Sequence, residues 1–188
     1  MVSNPHYQAI QAFYADRRAQ RSQVPLIAHI NEGLALLDAL GAEQSAKDAF
    51  CLHPLVQDNE ALVQSLEPGS HLRAFPVEPV AVALAMEYRA TANAYLSHHC
   101  TGPTDEPALS PLPAVNLMLV ADKVQNRKDF ELYHQASHAN SALLAQYFAN
   151  WLRRLGISEA RYQELVALLG PELPPNNSFK PTPLRGAA

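Results

Sequence analysis

Two histidines and an aspartate, His29, His53 and Asp122, are of types that can hold a metal ion together. Two neutral imidazoles and one carboxylate suit Mn²⁺ or Fe²⁺ and leave coordination positions open for water and substrate. A metal held in this way lowers the pKa of bound water and neutralises charge on a phosphoryl group. Asn126 follows Asp122 at i+4, so on a helix both project from one face. Asp58 follows His53 beyond a proline, Pro54. Taken singly, each residue has a plainer reading. A lone helical histidine is more often a satisfied core or surface residue, and an Asp–Asn pair is often a solvated face.

Joint order and spacing carry more than the single residues. The run Arg21-Ser22-Gln23-Val24-Pro25-Leu26-Ile27-Ala28-His29 is followed by Leu52-His53-Pro54-Leu55-Val56-Gln57-Asp58, and far downstream by Ala121-Asp122-Lys123-Val124-Gln125-Asn126. These segments resemble the HD-domain superfamily, and within it the RelA/SpoT-type (p)ppGpp hydrolases. Those proteins show an R-x-S-G-x-P-Y-x-x-H-P-like opening, an L-H-D-x-x-E-D core and an A-D-[KR]-x-x-N close. The resemblance covers about Tyr7 to Gly156. It implies an all-α bundle of the HD-domain type, with Mn²⁺ (or Fe²⁺) on His29, His53 and Asp122. Asp58 and Gln57 fall on the family's catalytic acidic pair. Asn126, Lys123 and one of Arg17, Arg18 or Arg21 are the candidate contacts to phosphate or ribose, and the planar fork of arginine suits that task. The segment Met86-Glu87-Tyr88-Arg89 falls where the family has V-[TS]-K-L, a weak match.

Departures from the pattern matter equally. Pro54 stands where the Asp of the HD doublet belongs, and proline coordinates nothing. Gln57 stands where the catalytic Glu belongs, replacing a proton acceptor by a neutral amide. Loss of that base should slow general-base steps by roughly 10²–10⁴-fold. Glu32, at i+3 from His29, is a candidate replacement ligand. The expected function is a metal-dependent phosphohydrolase acting on a nucleotide or related phosphorylated small molecule. The alternative is a catalytically degenerate relative, serving as a nucleotide- or protein-binding regulator.

Other clusters read as structural. His134 and His138 form an H-x-x-x-H pair without the glutamate of a zincin and read as surface residues. His98-His99-Cys100 follows a helix end, where cations favour the dipole. Cys51, between Phe50 and Leu52, reads as a small buried hydrophobe. Phosphate-cradling glycine motifs are absent.

The elements that must position the candidates are helical. Pro5 opens a first helix carrying Tyr7, Ile10, Phe13 and Tyr14. Ile27, Ile30, Leu34 and Leu37 mark a second, stopped by Gly41. A third, through Ala46, Ala49, Phe50 and Leu52, should end or kink at Pro54. Asn59 is expected to cap a short fourth, closed by Pro68-Gly69. Pro79 opens a long apolar helix to about Leu96, and a proline-rich loop leads to another from about Ala114 to Tyr133. The Leu143-to-Leu155 stripe, with Tyr147, Phe148 and Trp151, reads first as core and otherwise as a homodimer face. A last helix starts at Ser158 and stops at Gly170. Period-2 alternation is lacking, so the expectation is an all-α domain over residues 1–170. Residues 171–188, holding five of the 15 prolines, are expected to be a mobile tail.

With 188 residues, 48% hydrophobic and 17% charged, the chain fits one domain with a real core. A net charge of -4 without a basic stripe argues against DNA or RNA as a partner. No apolar run approaches the roughly 20 residues of a membrane span. Lacking a secretory signal pattern or a disulfide framework, the chain is expected to be cytoplasmic.

Overall fold

Several helices begin or end where the local chemistry requires. Asn4 caps α1 (Pro5–Tyr14) by accepting from the His6 and Tyr7 amides, with Pro5 in the first turn, where a missing N–H is harmless. Helix α2 (Leu26–Ala39) is followed by Gly41 at φ 68°, a left-handed stop that glycine adopts without strain. Then come α3 (Gln44–Val56), α4 (Asn59–Leu66), the single turn α5 (His71–Ala74) and α6 (Pro79–Ala94). Helix α7 (Pro113–Asp129) continues into a π-helical turn, Phe130–His134, before α8 (Ser141–Arg154) and α9 (Glu159–Ala167).

The computed structural model describes residues 4–20 and 22–169. Arg21 and the tail expected to be mobile lie outside them. Among the described residues there is no strand; one isolated bridge joins Arg18 to Pro25 within the loop before α2. The fold is an all-α, single-domain bundle.

Helix α3 is the centre of the bundle. It packs most extensively on α6 and also touches α1, α2, α4 and α7. Ala46, Ala49, Phe50, Leu52, Leu55 and Val56 are all buried, which accounts for an apolar pattern wider than one helical stripe. Trp151 of α8 is fully buried, while Tyr162 and Leu165 fasten α9 beside α7. The part of the α8 stripe from Tyr147 to Leu152 therefore faces the core of this chain, while Leu143 is exposed. Among the described residues no helix is long and apolar enough to cross a membrane.

Two expectations change. Helix α3 does not end at Pro54 but runs through it to Val56, because Leu55 and Val56 are buried and tertiary packing outweighs the local loss. Asp58, not Asn59, caps α4: its carboxylate accepts from the Ala61 amide at 2.7 Å.

Gly33 sets how closely α2 and α3 approach. A Cβ there would stand 2.1 Å from Cε1 and 2.2 Å from Cζ of Phe50, whose ring is fully buried. Gly33 lies one turn after His29, and Phe50 lies three residues before His53, so this contact brings the two histidines together. Gly33→Ala should cost about 1–3 kcal/mol through overpacking, measured by chemical denaturation; wild-type stability would contradict so close a contact.

Candidate metal centre

His29, from the first turn of α2, meets His53 from the last turn of α3, their Nε2 atoms 3.3 Å apart. Asp122 of α7 brings Oδ1 to 3.5 Å from His29 Nε2. Ligand atoms of all three residues lie within 4.8 Å of one another, with His53 and Asp122 buried and His29 partly open. Ligands about 2.0–2.2 Å from a shared ion stand roughly 3.0–3.6 Å apart, so the spacing suits one metal.

Hydrogen bonds decide which nitrogens are free. His53 Nδ1 donates to the Phe50 carbonyl at 2.6 Å. His29 Nδ1 donates to Gln125 Oε1 at 2.7 Å. The Gln125 amide can point only this way, because its Nε2 donates to two carboxylates, Glu32 at 3.0 Å and Asp129 at 2.8 Å. Both imidazoles thus carry their proton on Nδ1 and present an Nε2 lone pair to the centre. Asp122 Oδ1 accepts from Asn126 at 2.8 Å. Its Oδ2 lies 2.8 Å from Lys123 Nζ in an ion pair that lacks hydrogen-bond alignment, leaving a buried acceptor without an aligned donor. When both imidazoles are neutral, three acceptors converge with no proton between them. A proton on His29 would relieve one contact, whereas a divalent cation would relieve all three.

Electrostatics point the same way. Burial, with His29 second, lowers the His53 pKa to about 3, keeping it neutral. Burial alone would raise Asp122, but the Lys123 ammonium beside it outweighs burial and holds the carboxyl well below the usual range. Tyr88, packed on the His53 ring at 4.9 Å, has its phenol raised by burial and by Asp122.

The centre forms one side of a cleft of ≈ 540 Å³, whose lining includes Tyr14, Arg17, Gln57, Asp58, Asn126 and Asp129. Asp58 and Asn126 therefore face it, with Asp58 also engaged as the α4 cap. Gln57 faces it too, its Nε2 donating to Asn93 Oδ1 at 2.9 Å while Asn93 donates back to the Gln57 carbonyl at 3.0 Å. Gln57 Oε1 is buried without a hydrogen-bond partner.

Other candidates fall elsewhere. Lys123 does not line the cleft; it is buried, with Nζ 5.5 Å from the Trp151 ring and 5.7 Å from Tyr147, and serves Asp122 from behind. Arg18 is exposed and donates to the Gln23 carbonyl, away from the lining. Arg17 lines the cleft instead, held by the Phe13 and Tyr14 carbonyls with its guanidinium 4.4 Å from the Phe13 ring. Glu32 is not a ligand, being bound to Lys128 at 2.7 and 2.8 Å and to Gln125. Burial raises the Cys51 thiol to about 12, as suits a core residue.

No protein-family model, no curated protein and no solved structure matches this chain. The reading of the centre therefore stands on its geometry.

Gln125 was missed from the sequence, although its i+3 spacing from Asp122 was a usable sign of a shared face. Asn93 had no such signal, because α3 and α6 meet only in the fold.

Gln125→Met should weaken Mn²⁺ binding by roughly 10–100-fold with helicity kept, as read by calorimetry and circular dichroism; unchanged affinity would mean His29 is oriented otherwise. A pH effect also follows. Unfolded His53 takes a proton near pH 6.5, whereas folded His53 resists until about 3. The unfolded chain binds the extra proton between those values, so stability of metal-free protein falls as pH drops through that window. Denaturant unfolding at pH 7 and pH 5 should show this loss reduced in His53→Leu; an equal loss in both would contradict it.

Proposed function

We propose that this protein is a metal-dependent phosphohydrolase-like protein of the HD-domain type, acting on a nucleotide or related phosphorylated small molecule. The supporting observation is the convergence of two Nε2 lone pairs and one carboxylate oxygen on the wall of an open cleft. When bound, a divalent ion such as Mn²⁺ or Fe²⁺ lowers the pKa of a water and offsets phosphoryl charge.

The chain's own residues do the remainder. His29 and His53 donate lone pairs from fixed tautomers, and Asp122 supplies the anionic ligand. Arg17 and Asn126, both on the cleft wall, are placed to hold phosphate oxygens, the arginine through its planar fork. Asp58 is the carboxylate of the cleft best placed in sequence to orient a water, with Gln57 beside it as a hydrogen-bond acceptor. Phosphate is a suitable ligand for such a cleft because it can accept from the arginine and the amide together.

A specific observation favours the second reading, a nucleotide- or protein-binding regulator without turnover. Gln57 is a neutral amide locked to Asn93, and Asp58 is engaged as a helix cap, so the cleft has no unoccupied carboxylate at the place of the missing base. Binding of a guanine nucleotide by calorimetry, with no hydrolysis after prolonged incubation, is the outcome that reading expects.

A screen of phosphomonoesters, nucleotides and pyrophosphorylated nucleotides with Mn²⁺ should reveal phosphate or pyrophosphate release that disappears in both His53→Ala and Asp122→Ala. Undiminished release in either variant would sink the proposal. Gln57→Glu should raise turnover by roughly 10²–10⁴-fold; no gain over wild type would mean that the missing base is not what limits this site.

A further inference from the structure

The position that most weakens the metal centre on paper has a second consequence in the fold. A helical proline supplies no N–H to the carbonyl four residues earlier. For Pro54 that carbonyl belongs to Phe50, and both lie within α3. In an uninterrupted helix the residue at position 54 would donate to it. Here the Phe50 carbonyl receives His53 Nδ1–H at 2.6 Å. Phe50 is fully buried and His53 is 4% exposed, so water is a poor substitute for either partner. A buried carbonyl left without a donor costs on the order of 1–3 kcal/mol. The adjacent residues His53 and Pro54 therefore meet each other's need: the proline frees an acceptor, and the imidazole occupies it.

The result reaches the centre directly. With its proton on Nδ1, His53 presents an unprotonated Nε2, which faces His29 Nε2 at 3.3 Å and the Asp122 carboxylate. On the opposite side, the His53 ring is packed between Phe50 at 4.7 Å and Tyr88 at 4.9 Å, so its orientation follows from the same contacts.

We propose that Pro54 is a positioning residue for the metal centre: by withdrawing its own N–H it gives the Phe50 carbonyl to His53 and so fixes the tautomer that leaves Nε2 free. This inference rests on the metal reading of the cluster. Pro54 lines the same cleft, where it adds an apolar ring in place of a charge. The centre so built has one anionic ligand and two neutral ones, and it relies on tautomer control where a second carboxylate would have relied on charge.

The test is Pro54→Ala in the full chain, which restores the N–H at position 54. Nitrogen-15 NMR of the metal-free imidazoles should show wild-type His53 as the Nδ1–H tautomer and the variant as a mixture. Calorimetric titration with Mn²⁺ should show about tenfold weaker binding in the variant, while its thermal stability holds or rises, because alanine is the better helix former. Pro54→Gly also supplies an N–H and should shift the tautomer in the same way, which guards against a packing defect peculiar to one variant. An unchanged Nδ1–H tautomer in both variants overturns the proposal, as does a shifted tautomer with wild-type Mn²⁺ affinity. Wild-type protein that takes no metal would defeat the metal reading instead, and the tautomer of the metal-free chain would still be read separately.

Discussion

The arrangement that the rest of this structure depends on is a meeting of three acceptors without a proton. His29 Nε2, His53 Nε2 and an Asp122 oxygen are held together on the wall of a cleft, and each histidine has spent its proton on the opposite side. Such a meeting is unfavourable at a largely buried site unless a cation or a shared proton completes it. The surrounding fold is arranged to hold it. Gln125 stands between His29 and two carboxylates, and the Gly33–Phe50 contact lets α2 and α3 approach closely enough for the imidazoles to face each other.

Two buried amines balance a buried acid, Asp122, and a half-buried one, Glu32. Lys123 pairs with Asp122 and lies near the rings of Tyr147 and Trp151, so the Asp122 carboxylate is tied to the middle of the aromatic core. Burial would lower the Lys123 pKa, but Asp122 outweighs it and keeps the ammonium charged. Lys128 pairs with Glu32, whose carboxylate in turn orients Gln125. Removing one member of such a buried pair typically costs about 3–5 kcal/mol because the other charge is left uncompensated. Stability and site geometry are therefore coupled along α7.

Much of this was legible in the sequence. The apolar spacing of α1, α2, α6 and α8 announced an all-α bundle, and the order His29, His53, Asp122 foretold the cluster. Lys123 misled because its place beside Asp122 in the Ala121-to-Asn126 string suggested a substrate contact, whereas on a helix neighbouring residues point in different directions. Pro54 misled for another reason. Its local effect on a helix is written in the sequence, but the burial of Leu55 and Val56 that carries α3 onward, and the use of the freed carbonyl, depend on tertiary structure. The Gln57–Asn93 pair joins two helices far apart in the chain, and nothing local marks either residue as half of it.

The central claim is that the cluster is a metal centre rather than a set of histidines sharing a proton. Its most direct test is elemental analysis of the purified chain, joined to calorimetric titration of chelator-treated protein with Mn²⁺. This account predicts one bound ion per chain, with the site abolished in His53→Ala while the helical content stays. A folded wild-type protein that takes up no Mn²⁺, Fe²⁺ or Zn²⁺ under these conditions would contradict it.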